Sequence, residues 1–310
     1  KNISLVSTIY NNNGLRAIWS SDGDWLPLGD SLNSFIENCK EYGLFPSDYN
    51  YRALTGIRNQ AKKDTLAKKD AALWARADLL MTDALMRISE DLKRGRLPYD
   101  STSRKDTVKL TDSFYLSIVD TVIASKQVAT TLQQLEPQIP AYQALRAAAK
   151  NYVDSTEFRV YTYLPYPFDD SLAFYGLLRN RLYEEGVLDT LPNEMDSAAY
   201  RKALVKYQKL KKLKTTGKVN ENTVKSLNDT PWERFKRIAI SLDKYKLMPD
   251  TMPTTYVWVN IPGFYLNVVD TGQVVLQSRV IVGSTKTRTP ELNSEISNFI
   301  TYPQWTVPYS

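Results

Sequence analysis

The sequence predicts an α+β protein of several domains, with a largely helical N-terminal part and a C-terminal segment of β-strands. Apolar residues recur at helical spacing through much of the first 246 positions. From Tyr256 onwards the pattern changes to short runs of β-branched and aromatic residues. A length of 310 residues suits two or three domains. We expect the domains at 1–160, 161–230 and 251–310, with a connecting helix within 231–250.

The N-terminal part contains a series of amphipathic helices. A helix is predicted over Asp30–Tyr42, from a capping aspartate to Gly43, with Cys39 on its apolar face. Cys39 is therefore interpreted as a buried structural thiol and not as a nucleophile. The longest helix is predicted over Asp70–Lys93. Shorter helices are expected at Thr111–Ala124, Val128–Leu135 and Ala141–Tyr152.

A compact three-helix unit follows a boundary segment, Phe158–Asp170, which breaks the helical pattern with prolines and aromatic residues. Its helices are expected at Leu172–Gly186, Asp196–Leu213 and Asn220–Leu227, and the last two begin at good capping residues. The side chains expected to face inward are Leu177, Leu178, Leu182 and Tyr183 on the first helix, and Ala203, Leu204, Tyr207 and Leu210 on the second.

The chain then passes through an amphipathic helix, Trp232–Lys246, into the predicted strands. The strands are expected at Tyr256–Asn260, Phe264–Val269 and Val274–Val282, and Asp270-Thr271-Gly272-Gln273 is a hairpin signal between the last two. In the third run, Val274, Leu276, Val280 and Val282 are predicted to share one face, with Gln277 and Arg279 on the other.

The last segment, Phe299–Ser310, also has the composition of a strand. A sheet that stopped there would leave an unpaired edge. About 57 residues after Pro253 are few for an independent hydrophobic core. We therefore expect the β-domain to be incomplete in this chain or to be completed by another chain.

Composition excludes several kinds of site. The chain has no histidine and one cysteine, which excludes histidine-based catalysis, a histidine metal site and an internal disulfide within these residues. No metal or cofactor is expected. No apolar run reaches the length of a membrane span. The N-terminus lacks the apolar core of a signal peptide, so we expect any export signal to have been removed.

The net charge of +6 and the pI of about 9.1 raise the question of an anionic partner. The main basic cluster comprises Lys202, Lys206, Lys209, Lys211, Lys212, Lys214 and Lys218. A solvated helix face explains such a cluster without any partner. Because stacking aromatics do not interleave with these lysines, nucleic acid is not expected as a partner.

The three-helix unit resembles the peptidoglycan-binding-like domain. The resemblance lies in three stretches, LRNRLYEEGVL, YRKALVKYQKLKKL and TGKVNENTVKSLN. Tyr207-Gln208 stands where that family has Phe-Gln, and Lys212-Leu213 replaces its usual Gly-Leu turn. The remaining matches are Leu178, Arg179 and Leu182 in the first helix, and Gly217, Thr223, Leu227 and Asn228 in the third.

The β-segment resembles the beginning of a YkuD-type L,D-transpeptidase domain of the YcbB-like branch. Its matching motifs are Tyr256-x-Trp258-Val259-Asn260-Ile261-Pro262-x-Phe264-x-Leu266, Val280-x-Val282-Gly283, Thr289-Pro290 and Tyr302-Pro303-x-Trp305-x-Val307-Pro308-x-Ser310. The N-terminal part is similar to the same branch at Ala17-x-Trp19, Tyr42-Gly43-Leu44-x-Pro46-x-x-Tyr49 and Asp91-Leu92-x-x-Gly95-Arg96. The order of the domains in that branch also implies that the three-helix unit is inserted and that Trp232–Lys246 packs back onto the scaffold.

The resemblance implies a periplasmic enzyme of the bacterial cell envelope that acts on peptidoglycan. Such enzymes use a cysteine, activated by histidine in a Ser-His-Gly-Cys motif, to form a thioester on a tetrapeptide stem and then a crosslink between meso-diaminopimelate residues. Carbapenem-type inhibitors are expected to acylate the same cysteine. A membrane anchor, if there is one, is expected outside this chain. The motif lies downstream of the Trp-x-Val-Pro-x-Ser motif, so no catalytic residue is assigned within these 310 residues.

The expected partners are therefore the stem peptides and glycan of peptidoglycan. The candidate binding residues are Arg181, Tyr207 and Gln208 of the three-helix unit, together with Tyr302 and Trp305 of the last motif. Two of these residues have an equally good structural interpretation, in which Tyr207 is a core residue and Arg181 is solvated.

Three functions remain open at this point. The first is an L,D-transpeptidase of which this chain is the non-catalytic portion. The second is a non-catalytic peptidoglycan-binding or scaffold protein of the envelope. The third is an unrelated helical adaptor whose basic face meets an acidic partner, which predicts salt-sensitive binding to polyanions.

Overall fold

The computed structural model describes residues 3–97, 110–248, 252–284, 286–292 and 294–302. The helices of the first part are α1 (Ile3–Asn12), α2 (Pro27–Asn38), α3 (Tyr51–Lys63), α4 (Thr65–Lys69), α5 (Ala71–Arg94), α6 (Asp112–Ser125), α7 (Val128–Gln133) and α8 (Pro140–Ser155), with short 3₁₀ helices at Cys39–Tyr42 and Pro46–Asp48. They are followed by α9 (Ser171–Glu184), α10 (Ser197–Leu210), α11 (Glu221–Asn228) and α12 (Pro231–Lys246). The strands are β1 (Ser20–Ser21), β2 (Asp24–Trp25), β3 (Thr255–Asn260), β4 (Tyr265–Asp270) and β5 (Gln273–Arg279).

The long helix α5 is the centre of the N-terminal core. It begins where the sequence predicts, because the Asp70 side chain accepts hydrogen bonds from the backbone N–H groups of Ala72 and Leu73. Its apolar face is buried against the other N-terminal helices. The fully buried members of that face are Ala77, Met81, Ala84, Leu85, Ile88 and Leu92.

A buried carboxylate attaches the first hairpin to α5. Asp78 accepts hydrogen bonds from the backbone N–H groups of Ile18 and Trp19 at 2.8–3.0 Å. The Trp19 indole N–H donates to Thr82 Oγ1, one turn along the same helix, at 2.8 Å. These bonds satisfy backbone donors that the short β1–β2 hairpin leaves unpaired inside the core.

The second helix starts earlier than predicted. It begins at Pro27, with Leu26 as the N-cap, so Asp30 lies in the first turn and is not the cap. Proline suits this first position because its missing N–H would have no partner there. The α-helix ends at Asn38 and continues as the 3₁₀ turn that contains Cys39. Cys39 is fully buried, as predicted.

Helix α12 returns to the N-terminal core, as expected from the order of the domains. Its buried face packs on α8 and α5, and Leu242 shares an apolar cluster with Tyr142 and Ala149 of α8. The Phe235 ring meets Phe45 edge-on, with ring centroids 5.2 Å apart. Since α8 and α12 are in contact, the unit between them is an insertion whose two ends lie close together.

The inserted unit, α9–α11, has an apolar core of its own. The preceding segment is part of that core, because Leu164 is fully buried in it. The side chain of Asn228 accepts from the Leu164 N–H and donates to the Leu164 carbonyl, at 3.0 and 2.8 Å. The segment predicted as a boundary therefore runs along the unit and contributes to its packing.

Two inward-facing positions were predicted wrongly in this unit. Tyr183 and Leu210 are exposed, whereas Leu178, Leu182, Ala203, Leu204 and Tyr207 are buried as expected. In a bundle of three short helices, only a narrow stripe of each helix is buried. On α10, the polar residue Gln208 is buried, and the apolar Leu210 two positions later is exposed.

The C-terminal strands form an antiparallel sheet in the order β3-β4-β5. Thr271 and Gly272, between β4 and β5, both have positive φ, which is the conformation of a type I′ hairpin turn. The predicted hairpin is therefore confirmed, although β5 ends at Arg279 and does not reach Val282. The sheet contacts α12 through Trp258, whose ring centroid lies 6.3 Å from that of Tyr245.

A β-bulge changes the faces predicted for β5. Val268 pairs with Leu276 but Val269 pairs with Val274, so Val275 has no partner on β4. Directly paired residues share a face, and Val268 and Val269 point to opposite faces. Val274 and Leu276 therefore lie on opposite faces, and strict alternation fails because the bulge inserts one residue.

The strand predicted over Phe299–Ser310 is not formed in its described part. Residues 299–302 contain no strand, and Phe299 and Tyr302 are exposed. Residues 303–310 lie outside the part of the chain that the structure describes.

We predict that Gly43→Ala destabilises the protein by about 2 kcal/mol or more. Gly43 has a φ of 71°, which alanine adopts only with strain, and an added Cβ would lie 3.1 Å from the Ala239 Cα on α12. Thermal and denaturant unfolding of the variant measure the loss.

The matched control is Gly56→Ala, in the middle of α3, where an added Cβ meets no atom within 4 Å. This change should stabilise the protein by about 0.5–1 kcal/mol through helix propensity. Equal effects of the two substitutions would contradict the assigned contact between Gly43 and α12.

Candidate functional site

The candidate residue Arg181 is an internal cation of the three-helix unit. Its side chain is 1% exposed. The guanidinium donates from Nε and Nη2 to the Leu227 carbonyl and from Nη2 to Glu185, the latter at 2.6 Å. Leu227 lies in the last turn of α11, where carbonyl oxygens lack helical partners. Arg181 therefore joins the end of α11 to α9.

The aromatic ring of Tyr161 covers the outer side of this guanidinium. The Arg181 Cζ lies 4.4 Å from the centroid of the ring. Glu184, near Arg181 on α9, accepts from both the N–H and the hydroxyl of Thr162. The segment before the unit is thus tied down by two neighbouring charged residues of α9, and Arg181 is shielded from water.

Gln208 organises the loop after α10 from inside the unit. Its Oε1 accepts from the backbone N–H groups of Thr216 and Gly217, each at 2.9 Å. Its Nε2 lies within hydrogen-bond distance of the Lys218 carbonyl and the Thr223 hydroxyl. One buried amide thus satisfies both ends of the turn that leads into α11.

The third candidate, Tyr207, is also internal. Its ring is fully buried among the apolar residues of the unit, and its hydroxyl hydrogen-bonds the Ser226 hydroxyl at 2.8 Å. Of the residues predicted to bind peptidoglycan, Arg181, Tyr207 and Gln208 therefore have no surface available to a ligand here. The interpretation of Tyr207 as a core residue is correct, and that of Arg181 as solvated is wrong.

The positive charges of Lys211 and Arg181 favour the ionised form of Glu185. Burial by itself raises the pKa of the Glu185 carboxyl, but the hydrogen bonds and charges of Lys211 and Arg181 outweigh it and hold the pKa below its ordinary value. Lys211 reaches Glu185 from the end of α10 at 3.0 Å. The buried cation is thus paired, which a stable fold requires.

The other two candidates belong to the C-terminal motif. Tyr302 is 97% exposed, and Trp305 is outside the described residues. Their role in binding remains a prediction.

One face of the C-terminal sheet is open and apolar. The cross-strand pairs Val257–Val268 and Val259–Leu266 lie on it, and Leu276 continues the first pair onto β5. Val257, Val259 and Leu276 are each about half exposed. Such a contiguous aliphatic face is typical of a surface that another element covers.

The single cysteine has no access to a substrate. Cys39 is fully buried in the N-terminal core. Burial, reinforced by the Asp48 carboxylate, raises the pKa of the Cys39 thiol well above its usual range. A thiol in this state stays protonated and is a poor nucleophile. The prediction that Cys39 is structural is confirmed.

Two motifs of the N-terminal part meet in a partly buried polar junction that the residue patterns did not predict. Tyr49 donates to Asp91 at 2.6 Å, and Arg96 forms an ion pair with Asp48 at the same distance. The Arg96 backbone N–H donates to Asp243 of α12 at 3.0 Å. Tyr49, Asp91 and Arg96 all belong to the N-terminal motifs described above, and this is the sequence signal that could have predicted the junction.

The junction borders a polar cleft of about 370 Å³ that is lined by its own ion pairs. Burial raises the pKa of the Asp91 carboxyl, although Tyr49 and Arg96 favour its ionised form. The lining acids are matched by arginines, among them Arg94 with Glu90 and Arg96 with Asp48. We therefore interpret the cleft as part of the scaffold. Within the described residues, no cluster of acids and cysteine could hold a metal ion.

Comparison with known proteins finds similarity at both ends of the chain. A family model described as a scaffold domain matches residues 4–148. A model described as the L,D-transpeptidase catalytic domain matches residues 254–310. The chain is also similar to a predicted L,D-transpeptidase of Haemophilus influenzae, with 34% identity over 73 residues. The matched stretch is 24% of this chain and 14% of that relative's length. Among the helices described, none is both long and apolar enough to cross a membrane.

We predict that Gln208→Ala destabilises the protein by about 2–4 kcal/mol, because several buried backbone and hydroxyl groups lose their partner. Hydrogen exchange at Thr216 and Gly217 should accelerate at the same time. Lys209→Ala, at the exposed neighbouring position, is the control and should change stability by no more than about 0.5 kcal/mol. Unchanged exchange at Gly217 in the Gln208 variant would contradict the role assigned to this amide.

We also predict a pH-dependent effect of Glu185→Gln. Because the folded-state pKa of Glu185 lies below its ordinary value of 4.5, the carboxylate stabilises the fold above that pH. This stabilisation is lost as the pH falls through the folded-state pKa. The variant should be about 2–3 kcal/mol less stable near neutral pH.

The difference from the wild type should shrink as both proteins are taken below pH 4.5. Denaturant unfolding at a series of pH values measures it. Glu221→Gln, which removes an exposed carboxylate of α11, serves as the control and should show little change. A difference that stays constant with pH would exclude the assigned pairing.

Proposed function

We propose, from the confirmed resemblance to the YcbB-like L,D-transpeptidases, that this chain is the non-catalytic portion of such an enzyme. The observation that carries the proposal is the match of residues 254–310 to the catalytic domain, following a matched scaffold domain. The chain supplies the scaffold, the inserted three-helix unit and the first strands of the catalytic domain. The enzyme acts in the periplasm on the stem peptides of peptidoglycan.

The proposed reaction joins two stems. A cysteine thiolate attacks the carbonyl between meso-diaminopimelate and the terminal D-alanine of a tetrapeptide stem, forms a thioester and releases D-alanine. The diaminopimelate amine of a second stem then attacks the thioester, which forms the new amide and frees the thiol. This chemistry requires a thiolate, a proton acceptor and donors for the developing oxyanion.

The residues of this chain do not supply that machinery. The chain has no histidine, and Cys39 is buried and protonated. We expect the catalytic cysteine and histidine on residues outside these 310. The open face of Val257, Val259 and Leu276 supports this expectation, because further strands of a catalytic domain would cover it.

In this proposal the scaffold positions the catalytic domain. Helix α12 packs on α5 and α8, and its C-terminal end contacts the sheet. The attachment includes the Tyr245–Trp258 ring pair and the ion pair of Lys244 with Glu291 at 2.9 Å. Residues expected to act on the substrate would thus be held relative to the helical domain.

A wall-binding or scaffold protein without catalysis is the second candidate function. It is favoured by the absence of an accessible nucleophilic cysteine among the described residues. In that case the three-helix unit would be the candidate binding element, through residues other than its buried Arg181, Tyr207 and Gln208. A natural product that ends at Ser310 and binds sacculi without turnover would favour this function.

The deciding experiment is the mass of the natural protein before and after incubation with a carbapenem. We expect a product longer than 310 residues that gains one inhibitor adduct on a cysteine other than Cys39. Residues 1–310 alone should gain no adduct and should react with iodoacetamide only after denaturation, because Cys39 is buried. An adduct on Cys39 of the folded chain, or a natural product without a further cysteine, would overturn the proposal.

A further inference from the structure

Helix α10 carries a stripe of lysines on the side opposite to its buried face. Lys202, Lys206 and Lys209 follow one another at intervals of four and three residues, which places them on one side of the helix. The core positions Ala203, Leu204 and Tyr207 lie on the other side. All three lysines are exposed.

The loop after α10 adds more lysines beside this stripe. Lys212, Lys214 and Lys218 are exposed. The loop is held in one conformation from within, since Gln208 bonds the backbone of Thr216, Gly217 and Lys218. The buried amide therefore holds the backbone of the loop at Thr216, Gly217 and Lys218, directly before α11.

The region is basic throughout. Residues 197–220 contain eight basic side chains and no acidic one. They are Arg201, Lys202, Lys206, Lys209, Lys211, Lys212, Lys214 and Lys218.

Only part of this charge is used internally. Among the described residues, Lys211 pairs with Glu185 and Lys206 donates to the Val187 carbonyl. The others have no acidic partner within the described part of the chain. Elsewhere on the protein, acids offset the charge, since the whole chain has a net charge of only +6. A concentrated set of exposed cations without acidic partners favours an extended anionic partner.

A large apolar side chain lies within the basic region. Leu210, between Lys209 and Lys211, is 63% exposed. Burial in the core does not explain this leucine, which the apolar pattern had placed inside. Lysines grouped around an exposed aliphatic residue are typical of a helix that lies on an anionic lipid surface.

We infer that the lysine face, defined as the exposed Lys202, Lys206, Lys209, Lys212, Lys214 and Lys218 with Leu210, binds an anionic phospholipid surface. The lysines attract the headgroup phosphates, and Leu210 enters the boundary between headgroups and acyl chains. Lysine provides compact point charges without the bidentate geometry of arginine, which suits a diffuse field better than a single shaped ligand. This inference does not depend on the proposed transpeptidation.

Sedimentation with vesicles tests the inference on the chain as it stands. We expect the chain to bind vesicles of phosphatidylcholine mixed with phosphatidylglycerol, and not vesicles of phosphatidylcholine alone. Added salt should weaken the binding. Each lysine near such a surface contributes about five-fold to affinity, so the triple variant Lys202→Gln, Lys209→Gln and Lys214→Gln should bind about 100-fold more weakly.

The matched control removes the same charge elsewhere. Lys62, Lys63 and Lys69 are exposed near the ends of α3 and α4, and their replacement by glutamine should leave most of the vesicle binding intact. Leu210→Ser should weaken the binding while the salt dependence is kept. Circular dichroism confirms that each variant is folded.

Three outcomes would overturn the inference. The first is equal binding to neutral and anionic vesicles. The second is an equal loss of binding in the two triple variants, which would indicate a response to net charge alone. The third is retention on isolated sacculi that depends on the lysine face while anionic vesicles bind nothing, which would assign the face to the wall polymer.

Discussion

The hydrogen bond from the Arg96 backbone to Asp243, with the ion pairs around it, is the interaction on which the arrangement of this protein depends. Asp243 also pairs with Lys246 at 3.0 Å, in a region where both side chains are buried. The acceptor lies on α12 and the donor follows α5. Through this junction, the last helix is joined to the first domain.

Both remaining parts of the chain are attached through α12. The three-helix unit is inserted between α8 and α12, and the C-terminal sheet is seated on Tyr245 near the end of α12. Loss of Asp243 would leave Lys246 as an uncompensated buried charge, which is far more costly than loss of an exposed ion pair. Close packing supports the junction, because Gly43 leaves room for α12 to approach.

The three-helix unit shows how a small domain obtains one defined structure from few apolar residues. Its core is short, and Arg181 and Gln208 occupy interior positions that apolar side chains would otherwise fill. Each donates to or accepts from backbone groups outside its own helix, so each specifies how two parts of the unit meet. The same residues that were expected to meet a ligand thus build the surface on which the lysines are displayed.

Features that depend on neighbouring residues could be predicted from the sequence without the fold. These include the caps at Asp70, Asp196 and Asn220, the Thr271-Gly272 turn and the buried position of Cys39. Each follows from side-chain and backbone chemistry within a few positions of the chain. Shared motifs also predicted the similarity of residues 4–148 to a scaffold domain and of residues 254–310 to an L,D-transpeptidase catalytic domain, because the order of motifs is visible in the sequence itself.

Which polar residues became internal depended on the tertiary fold. Arg96 and Asp243 are 147 positions apart, and Arg181 and Leu227 are 46 apart, so no local pattern pairs them. The bulge at Val275 similarly depends on the register with β4 and reverses the face of Val274 relative to Leu276. Long-range hydrogen bonds are chosen by packing, since a buried polar group must find a partner wherever the fold brings one.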